Sequence, residues 1–131
     1  MRVLAVDYGS KRTGLAVGDL EHDLPSALPT ITSRPSVRAD AEAIATLAKS
    51  HEVTAIAVGH PLLADGTEGP RARVCNLLAS ELAALGWQVS LVNERNTTGE
   101  ARTAPGSKAL DKDAAAAIEI WRRFREEHLA N

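Results

Sequence analysis

The sequence predicts an α/β fold built on a mixed five-stranded sheet with helices on both faces. Three observations support this prediction. Two short apolar strands come first, and the four-residue polar link between them suits an antiparallel hairpin better than a crossover. At Ser36 the apolar residues change from strand-like to helical spacing. Strands and helices then alternate, which is typical of parallel strands joined by helical crossovers.

The first three predicted strands form the antiparallel part of the sheet. They cover residues 2–8, 13–19 and 28–32, and the first two contain the apolar runs Val-Leu-Ala-Val and Gly-Leu-Ala-Val. The third strand follows Pro25 and contains Pro29. Because proline has no N–H to donate to a neighbouring strand, we expect this third strand at an edge of the sheet.

The first helix and the fourth strand follow. Ser36 is a suitable N-cap, and the residues at helical spacings of three and four behind it are Val37, Ala41, Ile44, Leu47, Ala48 and His51. Residues 53–59 form a nearly continuous apolar strand, which indicates a central position in a parallel sheet.

Two more helices flank the last predicted strand. The second helix runs from about Thr67 to a stop at Gly86, the strand covers residues 87–92, and the final helix begins near Asp111. Cys75 lies one position outside the apolar stripe of its helix and is interpreted as a small packing residue. The order of all elements predicts a sheet of the ribonuclease H type, in a single domain of residues 1–131. The inward faces of the two helices are predicted to carry Val74, Leu77, Leu78, Leu82 and Leu85, and Ala114, Ala117, Ile118, Trp121 and Phe124.

Composition excludes several classes of protein. Apolar residues make up 44% and charged residues 24% of the 131 positions, which argues against disordered, collagen-like and coiled-coil chains. A single cysteine excludes an intrachain disulfide and a multi-cysteine zinc site. No apolar run is long enough to span a bilayer, and Asp7 interrupts the apolar stretch that a signal peptide would need. We therefore expect a cytoplasmic protein that does not associate with membranes.

Three carboxylates fall where the predicted fold would bring them together. The first, fourth and fifth strands run parallel, so their carboxyl ends share the edge at which open α/β sheets bind ligands. Asp7 ends the first strand, Glu94 follows the fifth and Asp111 opens the last helix. Clustered carboxylates repel one another and need a cation, and all-oxygen ligation favours Mg²⁺ or Mn²⁺. Because such ions promote attack of water on a phosphodiester, the acids predict a metal-dependent nuclease.

Each of these acids also has a structural interpretation. Asp7 suits a turn at the end of a strand, Glu94 beside Arg95 suits a surface ion pair, and Asp111 suits a helix cap. His60 stands before a proline and is predicted in a loop, as a loop residue or a substrate contact. The convergence of the three acids, rather than any one of them, favours the catalytic interpretation.

Basic side chains concentrate in the loops near the predicted edge, which suits contacts to phosphates. The net charge of −2 argues against a simple nucleic-acid binder, and the four aromatic residues argue against a stacking platform of the RRM or OB type. The arginines at 122, 123 and 125 are interpreted as a solvated face of the last helix. The predicted nucleic-acid-binding residues are Lys11, Arg12, Arg71 and Arg95.

Four motifs occur in order along essentially the whole chain. The first is LAVDYGSKRTGLAV at residues 4–17, and the second is VGHPL at residues 58–62 with DGTEGP at residues 65–70. The third is NERNTT at residues 93–98, and the fourth is Leu-Asp at residues 110–111 followed by two alanines at residues 114–115. In these motifs the sequence resembles the YqgF family, the Holliday-junction-resolvase-like nucleases of the ribonuclease H fold.

This resemblance implies a nuclease that processes the 5′ end of pre-16S ribosomal RNA and has resolvase-like character. It implies that Asp7, Glu94 and Asp111 bind the metal, Mg²⁺ or Mn²⁺. The implied partner is pre-16S rRNA, a pre-ribosome or branched DNA, and the implied state is a monomer or a homodimer. The chain departs from the usual family pattern at Asn93, at His60, and in a shortened segment over residues 99–110.

Two other functions stay open on the sequence alone. A non-catalytic ribosome-assembly or nucleic-acid-binding module would suit Asn93 and the shortened segment, whereas the retained acids argue against it. An actin-like or sugar-kinase-like ATP-binding domain would suit the phosphate-loop pattern of residues 7–10, Asp-Tyr-Gly-Ser. Proteins of that class clamp a nucleotide between two such domains, whereas 131 residues are enough for one domain, which argues against this function.

Overall fold

The sheet has the predicted mixed topology. The computed structural model describes residues 1–94 and 112–130. The strand order is β3-β2-β1-β4-β5, in which β1–β2 and β2–β3 are antiparallel and β1–β4 and β4–β5 are parallel. The strands are β1 (Arg2–Tyr8), β2 (Arg12–Asp19), β3 (Ser26–Thr32), β4 (Ala55–Pro61) and β5 (Val89–Glu94). The five-stranded α/β sheet is therefore confirmed, and so is the edge position of the proline-containing strand.

Among the residues that the structure describes, three helices cover the two faces of this sheet. They are α1 (Val37–Ser50), α2 (Pro70–Ala84) and α3 (Lys112–Ala130). The first two pack on one face, over a core that includes Leu4, Ile44 and Leu78, and α3 packs on the other face with Trp121 fully buried. No helix in the described ranges is both long enough and apolar enough to cross a membrane.

The two crossover strands begin and end about two residues later than the sequence predicts. Val53 is apolar and buried, but its N–H closes the end of α1 on the carbonyl of Ala48 at 3.1 Å. Trp87 similarly donates to the carbonyl of Leu82, at 3.2 Å. Both residues contribute to the core from helix-to-strand turns, which periodicity does not separate from strands. As a consequence, His60 and Glu94 lie within strands rather than in the loops after them.

The helix starts follow local capping rules. Ser36 caps α1 as predicted, with its side chain accepting a hydrogen bond from Ala39 N–H at 3.1 Å. The start of α2 is at Pro70 rather than near Thr67, because Asp65 binds both the N–H and the hydroxyl of Thr67 in a turn. Proline is favoured in the first turn because its missing N–H has no intrahelical partner there.

The inward faces of α2 and α3 differ in part from the prediction. Leu77 and Leu85 are 56% and 44% exposed, whereas Cys75 is fully in the core. The prediction for α2 was wrong because the helix carries apolar residues on several sides, and its buried stripe is Ala72, Cys75, Leu78 and Leu82. On α3, Ile120 rather than Ile118 is buried.

Candidate active site

Asp7 lies at the carboxyl edge of the sheet and faces α3. It is the last residue but one of β1. Because side chains alternate between the two faces of a strand, Asp7 lies on the same face as Val3 and Ala5, which pack under α3. Its register partner on β2 is Gly14. A Cβ on Gly14 would overlap the carbonyl group of Asp113, whose carbon would lie 2.5 Å away. The missing side chain therefore lets the first turn of α3 lie directly beside Asp7.

Glu94 lies at the same edge and on the same face. It is the last residue of β5, two positions after Val92, which packs under α3. Its carboxyl group lies over Gly59 of β4, since Cδ and Oε1 would each be 3.1 Å from a Cβ placed there. Gly59 lies on β4, between β1 and β5, and the space that a side chain there would fill is occupied by Cδ1 of Ile120 from α3 and by the Glu94 carboxyl group. Asp7 and Glu94 thus face a common region at the end of the sheet.

The third predicted acid cannot be placed in this arrangement. Asp111 and Arg95 fall outside the described residues. Asp111 immediately precedes Lys112, the first residue of α3, in the sequence. Within residues 1–94 and 112–130 there is no group of three or more His, Cys, Asp or Glu side chains able to hold a metal ion. The described acid pair supplies oxygen donors of the type that Mg²⁺ and Mn²⁺ prefer, so the donor chemistry fits such an ion.

The other predicted phosphate-binding residues surround this edge. Lys11 and Arg12 are exposed at the link between β1 and β2. Arg12 also pairs with Asp113 through Nε and Oδ2 at 2.8 Å, which ties the start of β2 to the start of α3. Arg71, in the first turn of α2, donates from its guanidinium to the main-chain carbonyl of Tyr8. These side chains therefore lie on both sides of the end of β1.

The three arginines of α3 are not merely a solvated face. The guanidinium of Arg123 donates to the carbonyl of Asn93 at 3.3 Å, and that of Arg125 donates to the carbonyl of Leu20 at 2.8 Å. Arg122 forms an ion pair with Asp23 at 3.0 Å, at the opposite end of the sheet from Asp7. These contacts fasten α3 along its length to the face that carries the two acids.

Cys75 of α2 lies on the opposite face of the sheet from Asp7 and Glu94, and the charges of both acids affect the pKa of its thiol. Burial raises the pKa of its thiol from 9.0 to about 11; the cation of Arg71 lowers it, and the negative charges of Glu94 and Asp7 raise it. That both carboxylates act on one thiol is consistent with their common location. The prediction that Cys75 is a packing residue is confirmed by its full burial, although its position on the helix was not the one expected.

The raised thiol pKa predicts a loss of stability in alkali. Between pH 9.0 and about 11 the unfolded chain releases the Cys75 proton while the folded chain retains it, so the free energy of unfolding falls as the pH rises. Urea unfolding of wild type and Cys75→Ser, in chelator at pH 8, 9.5 and 10.5, measures this. In the serine variant the free energy of unfolding should fall less steeply with pH. A smaller fall should remain, because the pKa of Tyr8 is also raised in the folded protein. Parallel declines of the two proteins would contradict the assignment.

A buried hydrogen bond joins the end of β1 to α1. The hydroxyl of Tyr8 donates to Oδ2 of Asp40 at 2.5 Å, and Oδ1 of the same carboxylate accepts the main-chain N–H of Arg34 at 2.7 Å. Burial, followed by the hydrogen bond and the charge of Asp40, raises the pKa of Tyr8 well above its usual value. The Asp40 side chain thus holds together β1, α1 and the segment before α1, next to the catalytic candidate Asp7.

We expect Tyr8→Phe to lower the free energy of unfolding by about 2 kcal/mol, because it removes a hydrogen bond to a buried charged group. Urea unfolding of the single variants Tyr8→Phe and Asp40→Asn, together with the double variant, gives the coupling between the two side chains. A double variant whose loss equals the sum of the two single losses would show that the hydrogen bond contributes no coupling.

His60 is not in a loop, which corrects the prediction. It lies within β4, is 92% buried, and faces α2, in alternation with Gly59. Its Nε2 lies 3.1 Å from Oε2 of Glu68, without the alignment of a hydrogen bond. Glu68 in turn accepts from the amide of Asn76 at 3.1 Å. His60 therefore contacts the segment between β4 and α2 rather than the face of Asp7 and Glu94.

Two residues near the edge were missed by the sequence analysis, namely Asp40 and Arg34. Asp40 carries a readable signal, because it shares the apolar stripe of Ile44 and Ala48 at spacings of four. A carboxylate on such a stripe needs a buried partner, and Tyr8 is that partner. Arg34 carries no comparable signal, since its position depends on contacts between segments far apart in the chain.

The chain resembles known proteins over nearly its full length. The profile of the family described as "RuvX: Holliday junction resolvase" matches residues 1–124. A protein of Anaeromyxobacter dehalogenans (strain 2CP-C), named "Putative pre-16S rRNA nuclease", is 44% identical over 128 residues, covering 92% of this chain and 93% of its own. One of the same name from Anaeromyxobacter sp. (strain K) is 41% identical over 128 residues, covering 90% and 93%.

A solved structure shares the fold. RuvC of T. thermophilus, in complex with a Holliday junction substrate, superposes with a TM-score of 0.64 at 14% identity, covering 98% of this chain and 96% of its own. At that identity the likeness concerns the fold, and it confirms the predicted ribonuclease H type.

Proposed function

Because the chain belongs to the RuvX family of Holliday junction resolvases, the YqgF family of the motif resemblance, we propose that it is a nuclease that hydrolyses phosphodiester bonds in structured nucleic acid. The observation that carries the proposal is the convergence of Asp7 and Glu94 on one face, at the carboxyl edge of the sheet. Ligands of open α/β sheets bind at this edge. Two carboxylates directed into one region there are the donors that a phosphodiester-cleaving metal site requires.

The acid pair would hold Mg²⁺ or Mn²⁺, with Asp111 as the third ligand. A bound divalent cation supplies charge stabilisation to the phosphate and lowers the pKa of water. The contribution of the chain is to hold both acids on one face of the sheet, at its carboxyl edge. Gly14 and Gly59 carry no side chains, so Asp113 and Ile120 of α3 pack closely on the sheet beside the acids, and α3 shields one side of the region. Asn93 is exposed on β5, and alternation directs its side chain away from Glu94, so its amide leaves the acid pair unchanged.

Binding of the nucleic-acid backbone is assigned to Lys11, Arg12, Arg71 and Arg95. The first two flank the end of β1 on the side of β2, and Arg71 flanks it on the side of α2. Arginine suits this task because its planar guanidinium matches a phosphate in two hydrogen bonds. Arg12 has Asp113 as an acidic partner, so we expect it to contribute to binding and also to hold α3 in place.

For the substrate we propose the 5′ end of pre-16S rRNA, in the cytoplasm. The support is the name of the relatives that are 41% and 44% identical to this chain. The alignments cover at least 90% of this chain and 93% of each relative, so the name applies to proteins matched over nearly their whole length. Branched DNA is the second substrate to test, because the family description and the likeness to RuvC both concern Holliday junctions.

Cleavage by the purified protein tests the proposal. A 5′-labelled RNA that spans the mature 5′ end of 16S rRNA and a labelled four-way DNA junction would be incubated with Mg²⁺, Mn²⁺, Ca²⁺ or excess chelator. We expect site-selective cleavage of the RNA in Mg²⁺ or Mn²⁺, and none in chelator. Cleavage that persists in chelator would contradict the metal mechanism. Binding of both substrates without cleavage under any condition would favour a non-catalytic assembly factor.

A further inference from the structure

The segment between β3 and α1 is tied to the link between β1 and β2. The N–H of Ser33 donates to the carbonyl of Lys11 at 2.9 Å, and its hydroxyl donates to the carbonyl of Gly9 at 3.1 Å. Thr32, the last residue of β3, is the register partner of Arg12. The two segments therefore form one surface, although more than 20 residues separate them in sequence.

The main chain of Arg34 is held on this surface by a hydrogen bond to a carboxylate in the protein interior. Its main-chain N–H donates to the buried carboxylate of Asp40 at 2.7 Å, and the other oxygen of that carboxylate binds Tyr8. Its side chain is exposed, and its Nη1 donates to the carbonyl of Thr32 at 3.1 Å. The backbone is thus held in place by a contact to a buried carboxylate, while the side chain of Arg34 is exposed to solvent.

The charges of this surface favour an anion. Lys11, Arg12 and Arg34 are exposed there and carry three positive charges. Asp113 offsets the charge of Arg12, and Asp40 is buried beneath the surface. In the part of the chain that the structure describes, the guanidinium of Arg34 is bonded to a carbonyl rather than to a carboxylate. A guanidinium held in this way keeps its remaining donors available to a phosphate.

This surface lies at the same edge of the sheet as the acids. Because β2 runs antiparallel to both β1 and β3, the carboxyl end of β3 is at the edge that carries Asp7. Neighbouring strands are about 4.8 Å apart, so the end of β3 is roughly 10 Å from β1. Glu94 lies on the opposite side of β1 from β3. A backbone extending from the acid pair towards β3 would therefore pass Lys11 and Arg12 and then reach Arg34.

We propose that Arg34 is a further phosphate-binding residue, contacting the nucleic-acid backbone on the β3 side of the acid pair, and that Asp40 is its positioning residue. The inference rests on the proposed function, because it assigns a direction to the substrate of the same site. The chemical class that this surface recognises is a phosphodiester backbone, without regard to base sequence.

Salt-dependent binding tests the assignment. Anisotropy of the labelled RNA would be measured in Ca²⁺, which suppresses cleavage, at 50 to 200 mM salt, a range over which phosphate contacts weaken strongly. We expect Arg34→Gln to weaken binding about fivefold at the lowest salt and to reduce the log–log slope by about 0.7 to 0.9, the loss of one phosphate contact. Arg34→Lys should restore the slope but only part of the affinity, because it keeps the charge and loses the planar fork.

Arg122→Gln is the matched control. Arg122 is also an exposed arginine, but it pairs with Asp23 at the opposite end of the sheet, so its loss should leave both affinity and slope unchanged. Equal effects of the two glutamine variants would overturn the inference, because they would indicate only a response to net charge. An unaffected Arg34→Gln beside a weakened Lys11→Gln would also overturn it, while leaving the nuclease assignment intact.

The role of Asp40 is tested in the same assay. We expect Asp40→Asn to weaken binding in the wild-type background and to add nothing in the Arg34→Gln background, with folding of each variant verified by urea unfolding. Weakening by the same factor in both backgrounds would show that Asp40 does not act through Arg34. If wild type binds neither the RNA nor the junction, the inference and the proposed function both fail.

Discussion

Asp7→Asn is expected to lower the cleavage rate by at least about 1,000-fold without unfolding the protein. Asparagine keeps the shape of the side chain but removes the charge with which Asp7 would hold a cation beside Glu94. A metal ion contributes several kcal/mol of charge stabilisation to phosphodiester hydrolysis, and each 1.4 kcal/mol is a factor of ten in rate. Single-turnover cleavage in Mg²⁺ and Mn²⁺ measures the effect. Binding in Ca²⁺ measures whether the substrate surface is intact.

Asp19→Asn is the control for this variant. Asp19 is likewise an aspartate near the end of a strand, but it lies at the opposite end of the sheet, where it binds the N-terminus at 3.4 Å. We expect its cleavage rate to match wild type. A rate for Asp7→Asn within tenfold of wild type would show that the chemistry does not depend on Asp7, and the active-site assignment would fail.

The second large effect is expected from Gly14→Ala. The added Cβ would overlap the main-chain carbonyl of Asp113, and no rotamer change can relieve a clash with backbone. The start of α3 must therefore move away from β2. Overpacking of this kind costs 1–3 kcal/mol and sometimes more, so we expect about 3 kcal/mol in the free energy of unfolding from urea titration. Cleavage should fall as well, because the displaced turn lies beside Asp7.

Gly69→Ala separates this clash from the general cost of replacing a glycine. The atoms nearest to a Cβ on Gly69 would belong to the side chain of Leu63, at 3.0 Å, and Leu63 is half exposed, so it can change rotamer. The Gly69→Ala variant should lose less than about 1 kcal/mol in its free energy of unfolding. If Gly14→Ala is no more destabilised than Gly69→Ala, the close packing of α3 on β2 does not exist in solution.

Most of the fold follows from local patterns in the sequence. The short polar link and the prolines of the third strand predict the antiparallel part of the sheet. The alternation of strands and helices predicts the parallel part, although the paired residues there are as far apart in sequence as Val3 and Ala55. The ends of β4 and β5 do not follow from the pattern. Val53 and Trp87 lie in the turns before these strands and pack against the core. Because they are apolar like the strand residues after them, the sequence pattern does not separate the turns from the strands.

The site is predictable only where it depends on strand ends. Asp7 and Glu94 could be named because carboxyl ends of parallel strands meet at one edge, a rule independent of packing detail. The burial of Asp40 is readable from its helical stripe, but its partners are not, since Tyr8 is 32 residues away in sequence and Arg34 is reached through a main-chain contact. The burial of His60 was missed for the same reason, because it follows from where α2 packs.

The packing of α3 has a consequence for how the protein loses activity. Among the described residues, α3 covers the face that carries both acids over a cluster of eight buried residues that includes Trp121, and Arg12, Arg123 and Arg125 add polar contacts. The other face of the sheet packs against α1 and α2 over a larger cluster of 14 buried residues. A helix that packs over the smaller of two cores opens locally at a lower free energy than the whole domain. Amide exchange in α3 should therefore be faster than in β1, and heat inactivation should precede the melting of the sheet.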